Sequence, residues 1–206
     1  LFGRLGYAYL MVGKPTLAVG AYRRTLEIRP DSSVVRYQLA RLYEAQDSLA
    51  AAAREYRLLL VGEPERAELH TRLADLLMAQ EQARQRIWPL ERNARVGEAE
   101  VHHRQAIKLE PASAGAHWSL GMTLAKLGLY REAVGHFERV LALDPQNIQT
   151  LFCLANLYGR TGEEVAAQEH MARYARASRE KRLEHKAQRQ ARQQVEELFG
   201  GLGAAE

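Results

Sequence analysis

Side chains able to do chemistry are few and scattered in this chain of 206 residues. The seven histidines include one adjacent pair, His102-His103. Neighbours on a helix point about 100° apart and do not converge on one metal ion. His70, His117, His136, His170 and His185 follow no ligand spacing. Cys153 is the only cysteine, so an internal disulfide, a multi-cysteine zinc site and a CxxCH haem attachment are all excluded for these residues. No phosphate-cradling glycine loop, HExxH pair or GxSxG elbow occurs. The expectation is therefore a chain that is not an enzyme, with no catalytic residue, no metal site and no cofactor.

Composition agrees with a folded chain outside the membrane: 47% of residues are hydrophobic and 26% charged. No stretch approaches the roughly 18 apolar residues of a spanning helix, so membrane insertion is not expected. The net charge of +4 is unevenly placed. Residues 173–193 hold eight basic side chains (Arg173, Arg176, Arg179, Lys181, Arg182, Lys186, Arg189, Arg192) against Glu180 and Glu184. The rest of the chain is nearly neutral. Arginine outnumbers lysine 24 to 5, a bias that suits a GC-rich bacterial genome. The lone cysteine slightly favours a reducing, cytoplasmic setting over a periplasmic or secreted one, and no segment names the compartment.

The elements that position these groups announce themselves by repetition. Pro30 and Pro64 are 34 residues apart, as are Pro111 and Pro145, while Pro64 to Pro111 spans 47. Each proline closes a similar phrase: TLEIRP, LLLVGEP, AIKLEP, LALDP. Upstream of each, residue classes recur in register. The first repeat runs Leu5-Gly6, Tyr9, Gly13, Ala18, Tyr22, Leu26; the second Leu39-Ala40, Tyr43, Ala52, Tyr56; the fourth Leu120-Gly121, Leu124, Gly128, Ala133, Phe137. A fifth gives Leu154-Ala155, Tyr158, Gly162, Ala167 and Met171 without a closing proline. Steps of three and four place the large residues on one helix face. The glycine makes a tight turn and the proline ends the second helix. His103 falls in the slot of Tyr22, Tyr56 and Phe137, which marks it as a core residue.

This two-helix phrase resembles the tetratricopeptide repeat over residues 1 to about 174. The resemblance implies an all-α chain, a right-handed superhelical solenoid of five helical hairpins with a C-terminal capping helix. Its units are 1–32, 33–66, 67–113, 114–147 and 148–174, followed by a basic helix over 175–199 and a flexible tail over 200–206. One hairpin cannot bury its own apolar face, so stability comes from stacking. The first unit begins at Leu1, partway into its first helix and without a methionine, which reads as a fragment or processed chain. The third unit carries 13 extra residues within Glu81–Val96. Pro89 turns Trp88 away from helical geometry, giving either a projecting hairpin tipped by Trp88 or a surface loop with the tryptophan folded back.

The resemblance also implies a binding groove lined by the first helix of each hairpin. Carried over unit by unit, the lining is Arg4, Tyr7 and Met11; Tyr37, Gln38 and Arg41; Thr71, Arg72 and Asp75; Trp118, Ser119, Met122 and Lys126; Phe152, Asn156 and Arg160. Aromatic and methionine side chains offer apolar anchors, and arginines offer charge-assisted donors. The expected occupant is a peptide or partner helix, partly apolar and net acidic, with Trp118 and Phe152 as neighbouring anchors. The carboxylate-gripping subfamily that binds chaperone tails is not matched: its slots hold Gly3, Tyr7, Gln38 and Glu68 here, and only Arg72 fits.

The basic segment 173–193 favours helix by composition. Leu183, Ala187, Val195 and Leu198 trace a weak apolar stripe able to cap the last repeat. Phosphate-driven contact with nucleic acid is the alternative, with Tyr174 as its only aromatic. The leading expectation is a non-catalytic interaction scaffold. The other is a targeting or regulatory arm of a larger enzyme or secretion or assembly machine.

Overall fold

Glycine and proline punctuation produces a run of helical hairpins. A computed structural model describes residues 2–84 and 93–200, and every regular element among them is an α-helix. In chain order these are α1 (Phe2–Met11), α2 (Pro15–Ile28), α3 (Ser33–Ala45), α4 (Leu49–Gly62), α5 (Ala67–Arg84), α6 (Ala94–Leu109), α7 (Ala114–Lys126), α8 (Tyr130–Leu143), α9 (Ile148–Thr161) and α10 (Glu164–Gly200). They fall into two compact units, Leu1–His136 and Phe137–Glu206, with the division inside α8.

In the first unit the first, second and fourth hairpins turn the same way. Gly13 and Gly128 sit at φ 68° and 76°, the left-handed region where a Cβ is penalised. The residue after each turn donates its N–H back to the first helix: Lys14 to the Tyr9 carbonyl at 2.8 Å, Leu129 to that of Leu124 at 2.9 Å. The second hairpin makes the same bond, Ser48 to Tyr43 at 2.9 Å, with Asp47 at φ 54° in the glycine's place. Pro15 opens α2, where its missing N–H costs nothing.

Packing follows the register. Ala18, Ala52 and Ala99 are buried on the second helices, with Tyr22, Tyr56 and His103 one turn later. Leu39, Leu73 and Leu120 are buried opposite them on the first helices. The close approach is tightest at Gly6, where an added Cβ would stand 2.6 Å from the Tyr22 ring. Small residues therefore pass beneath large ones, as a repeated two-helix stack requires.

The third hairpin departs from this plan for a legible reason. Thirty-four residues beyond Asp47 stands Glu81, and the helix does not turn there; α5 runs 18 residues against 13 for α3 and α7. Glu81 is wholly buried. Its carboxylate accepts from Asn93 Nδ2 at 2.6 Å and from Arg95 Nη1 at 2.8 Å. Asn93 also caps α6, accepting from the N–H groups of Arg95 and Val96. Both ends of the insertion are thus tied together at the core. Ile87, Trp88 and Pro89 lie outside the described residues.

In the second unit α9 turns at Gly162 (φ 84°), with Glu163 bonded back to Tyr158 at 2.8 Å. The following helix, α10, is continuous for 37 residues, taking in the last repeat helix and the basic segment together. At 1.5 Å per residue α9 covers only about 21 Å of it. The stripe expected to cap the repeat is therefore not buried: Leu183 is 59% exposed and Ala187 is exposed. The side chains of Val195 and Leu198 lie outside the described residues.

Candidate interaction surface

First helices α3, α5 and α7 present one connected face in the first unit. Tyr37 on α3 donates its hydroxyl to Glu68 on α5, packs edge-on to Tyr56 at 6.2 Å, and carries the Arg66 guanidinium 4.8 Å above its ring. Arg72 on α5 bonds Glu68 at 2.9 Å and crosses back to Glu44 on α3 at 3.3 Å. Arg41 lies 3.4 Å from the same Glu44. Ser119 on α7 donates to Asp75 on α5 at 3.3 Å. These bonds tie three successive first helices into a polar floor.

Electrostatics on this face are locally compensated. Burial opposes ionisation of Glu68, but hydrogen bonds from Tyr37, Arg72 and Arg66 outweigh it and hold its pKa at about 2. Burial likewise disfavours the Arg72 cation, and its carboxylate partners more than restore it. Lys126 is half-buried, and desolvation lowers its pKa against the pull of Asp75. The arginines expected to wait for an acidic partner at 41 and 72 already have carboxylates of their own. Glu44 was not foreseen as their counterpart. The Glu68–Arg72 spacing of four was the readable half of the network.

The remaining expected lining residues fall in three places. Arg4 and Tyr7, both exposed, border an open concavity of about 650 Å³ with Gln38, Val35 and Arg29; Met11 is 70% exposed. Trp118 and Met122 are half-buried on α7. Phe152, Asn156 and Arg160 lie on α9 in the second unit, each exposed. There Phe152 leans on the Tyr174 ring, 5.3 Å between centroids, and the Asn156 amide donates to the Phe152 carbonyl at 2.8 Å. Cys153 beside them is half-buried, and burial pushes its thiol up.

One constellation has the look of a catalytic relay. His103 Nε2 lies 3.0 Å from Asp75, and its Nδ1 lies 3.2 Å from the Thr123 hydroxyl. Hydroxyl, imidazole and carboxylate follow one another as in hydrolytic triads. Here, however, His103 is fully buried and Thr123 nearly so, so no substrate reaches the hydroxyl. The chain of bonds satisfies a polar core residue in an aromatic slot.

Histidines scattered in sequence prove to meet in space. His70 and His102 bring their Nδ1 atoms to 2.7 Å, and His117 and His136 to 3.0 Å. Neither pairing follows a metal-ligand spacing, since the partners are 32 and 19 residues apart. His70 and His117 each stand six residues after a unit proline and bond its carbonyl through Nε2, at 2.9 Å to Pro64 and 3.2 Å to Pro111. Their partners each stand nine residues before the next unit proline. In the second hairpin the same two offsets hold Arg36 and Glu55, paired at 3.0 Å, with Arg36 also bonded to the Pro30 carbonyl. No group of three or more histidine, cysteine or acidic side chains placed to hold a metal occurs among the described residues.

Comparison with known proteins agrees with the helical-hairpin fold. Two family models described as tetratricopeptide repeat match residues 114–147 and 136–169. Among solved structures, a crystal structure of MamA is similar at 18% identity and a TM-score of 0.76, over 85% of this chain and 95% of that one. MamA residues 41-end from Desulfovibrio magneticus RS-1 gives 16% and 0.75, over 87% and 94%. YrrB, described as a TPR protein with an unusual peptide-binding site, gives 19% and 0.70, over 91% and 90%. At such identities the likeness is one of fold. No curated protein matches the chain.

Proposed function

Because the chain is a tetratricopeptide-repeat protein, we propose that it works without catalysis, as a scaffold that holds a peptide or partner helix along its first helices. The observation that carries this reading is the bonded floor across α3, α5 and α7. Its side chains are ordered before any partner arrives, so binding loses little rotamer entropy. Tyr7, Trp118 and Met122 supply apolar anchors on this unit. The peptide-binding site of YrrB supports the reading by analogy of architecture.

The partner is a partly apolar segment. Any carboxylate it brings meets Arg4 more readily than Arg41 or Arg72, which Glu44 and Glu68 already occupy. Selection from a displayed peptide library against the full chain tests this. Selected peptides should lose at least about tenfold in affinity with Trp118→Ala, as hot-spot aromatics do, and be unchanged by Val61→Ala on the exposed side of α4. Peptides indifferent to both changes would remove the first-helix face from consideration.

A second reading has its own observation: all eight basic side chains of residues 173–193 are exposed on α10. Phosphate-driven nucleic-acid contact would weaken steeply with salt. A gel shift with duplex and single-stranded probes at low salt decides it, since no retardation there ends this reading.

A further inference from the structure

From the paired histidines we infer that the third and fourth hairpins carry a proton-operated latch: one hydrogen between two imidazoles ties α5 to α6 and α7 to α8, and protonating both rings of a pair releases the tie. This does not depend on what the first-helix face binds.

The geometry leaves room for a single hydrogen. A proline carbonyl can only accept, so the Nε2 of His70 bonded to Pro64 carries the hydrogen, and its Nδ1 is left as an acceptor. The His102 Nδ1–H is then the donor at 2.7 Å. His117, bonded to Pro111, fixes the same arrangement with His136 at 3.0 Å. The rings face each other head-on: centroid separations of 5.0 and 5.3 Å exceed the nitrogen separations by 2.3 Å in both pairs, about two ring radii. Head-on nitrogens this close share a proton well and cannot both be N–H. Nor do they chelate a cation: one about 2.0 Å from each nitrogen would sit to the side of the line along which both lone pairs point, so the rings would have to turn away from each other.

The surroundings do not rescue a doubly charged pair. His102 has Glu98 one turn away on α6, at 3.9 Å, but both Glu98 oxygens are taken by Arg57 of α4 at 2.9 Å. Arg57 and the adjacent His103 add positive field. His136 faces His117 of α7 and Arg104 of α6, with Glu132 on its own helix. Burial first, and the facing histidine second, push both His102 and His136 below the ordinary imidazole value. The sign follows. An unfolded chain takes up these protons near pH 6.5, while the folded hairpins resist them. Native stability is thus fully present above that pH and falls as pH drops below it. The second hairpin, with Arg36–Glu55 in the same slot, keeps its tie throughout this range.

Urea unfolding of the full chain at pH 7.5, 6.5 and 5.5 tests the inference, beside a variant that copies the second hairpin's pair into both slots (H70R/H102E/H117R/H136E). The native chain should lose folding equilibrium constant by about tenfold per pH unit for each pair below the imidazole range, and the variant should lose most of that slope. An equal slope in both proteins overturns the inference. Should the variant not fold, imidazole NMR of the native chain decides. One ring of each pair should titrate well below pH 6.5, with amide exchange in α5–α8 rising as it does; four rings titrating ordinarily and independently overturn it. Stabilisation by added zinc at pH 7.5 that H102Q abolishes would also overturn it, by making the pair a metal clasp.

Discussion

Asp75 accepts from His103 at 3.0 Å across the α5–α6 hairpin, although the imidazole is fully buried and the carboxylate side chain 53% exposed. A core position that holds Tyr or Phe in three other hairpins is thereby wired to the first-helix face. His103→Ala removes both volume and hydrogen bonds, and should destabilise by about 2–4 kcal/mol in thermal or urea unfolding. Asp75→Ala should cost less, because water can replace an exposed carboxylate.

Gly6 and Gly20 should respond in opposite directions to alanine. A Cβ at Gly6 stands 2.6 Å from the ring of buried Tyr22, and overpacking of this kind costs about 1–3 kcal/mol. Gly20 is mid-helix in α2 with nothing within 4 Å of an added Cβ, so Gly20→Ala should stabilise by about 0.5–1 kcal/mol. Melting temperatures of the two variants against the parent check the pair.

Asp47 holds a left-handed turn that Gly13, Gly128 and Gly162 make in the first, fourth and fifth hairpins. Asp47→Gly should relieve a penalty of roughly 1 kcal/mol, partly offset by greater freedom of the unfolded chain. A small rise in unfolding midpoint is expected, and a fall would show that the aspartate side chain contributes more than its backbone costs.

Arg95 supplies the charge facing the buried Glu81 carboxylate. Arg95→Met removes one ion-pair partner of that carboxylate and should cost about 1–3 kcal/mol, below the 3–5 kcal/mol of a fully buried pair because Arg95 is 37% exposed. Glu81→Gln combined with Arg95→Met should be less harmful than the sum of the singles. A double-mutant cycle by urea unfolding measures the coupling.

The hairpins were legible because their signals are local: Gly13, Gly128 and Gly162 at turns, Pro15 at a helix start, alanines three and four residues from aromatics. The long α5 was legible only in part. Thirteen extra residues are visible, but that Glu81 is buried where the first, second and fourth hairpins turn depends on Asn93 and Arg95, 12 and 14 residues further on. On the first helices the pairing of charges was not legible. Arg72 reads as an available cation until Glu44, 28 residues earlier, is brought against it. The histidine pairs hid for the same reason, since each joins residues 32 or 19 apart. Their signal was present as equal offsets from the unit prolines, which a search for metal-ligand spacing does not see.

Whether the first-helix face is a scaffold is decided by peptide binding measured by calorimetry on three proteins: the parent chain, Trp118→Ala and Val61→Ala, each checked for helicity by circular dichroism. Library-selected peptides should bind the parent and Val61→Ala alike and lose at least about tenfold with Trp118→Ala. Equal affinity for all three folded proteins would contradict it.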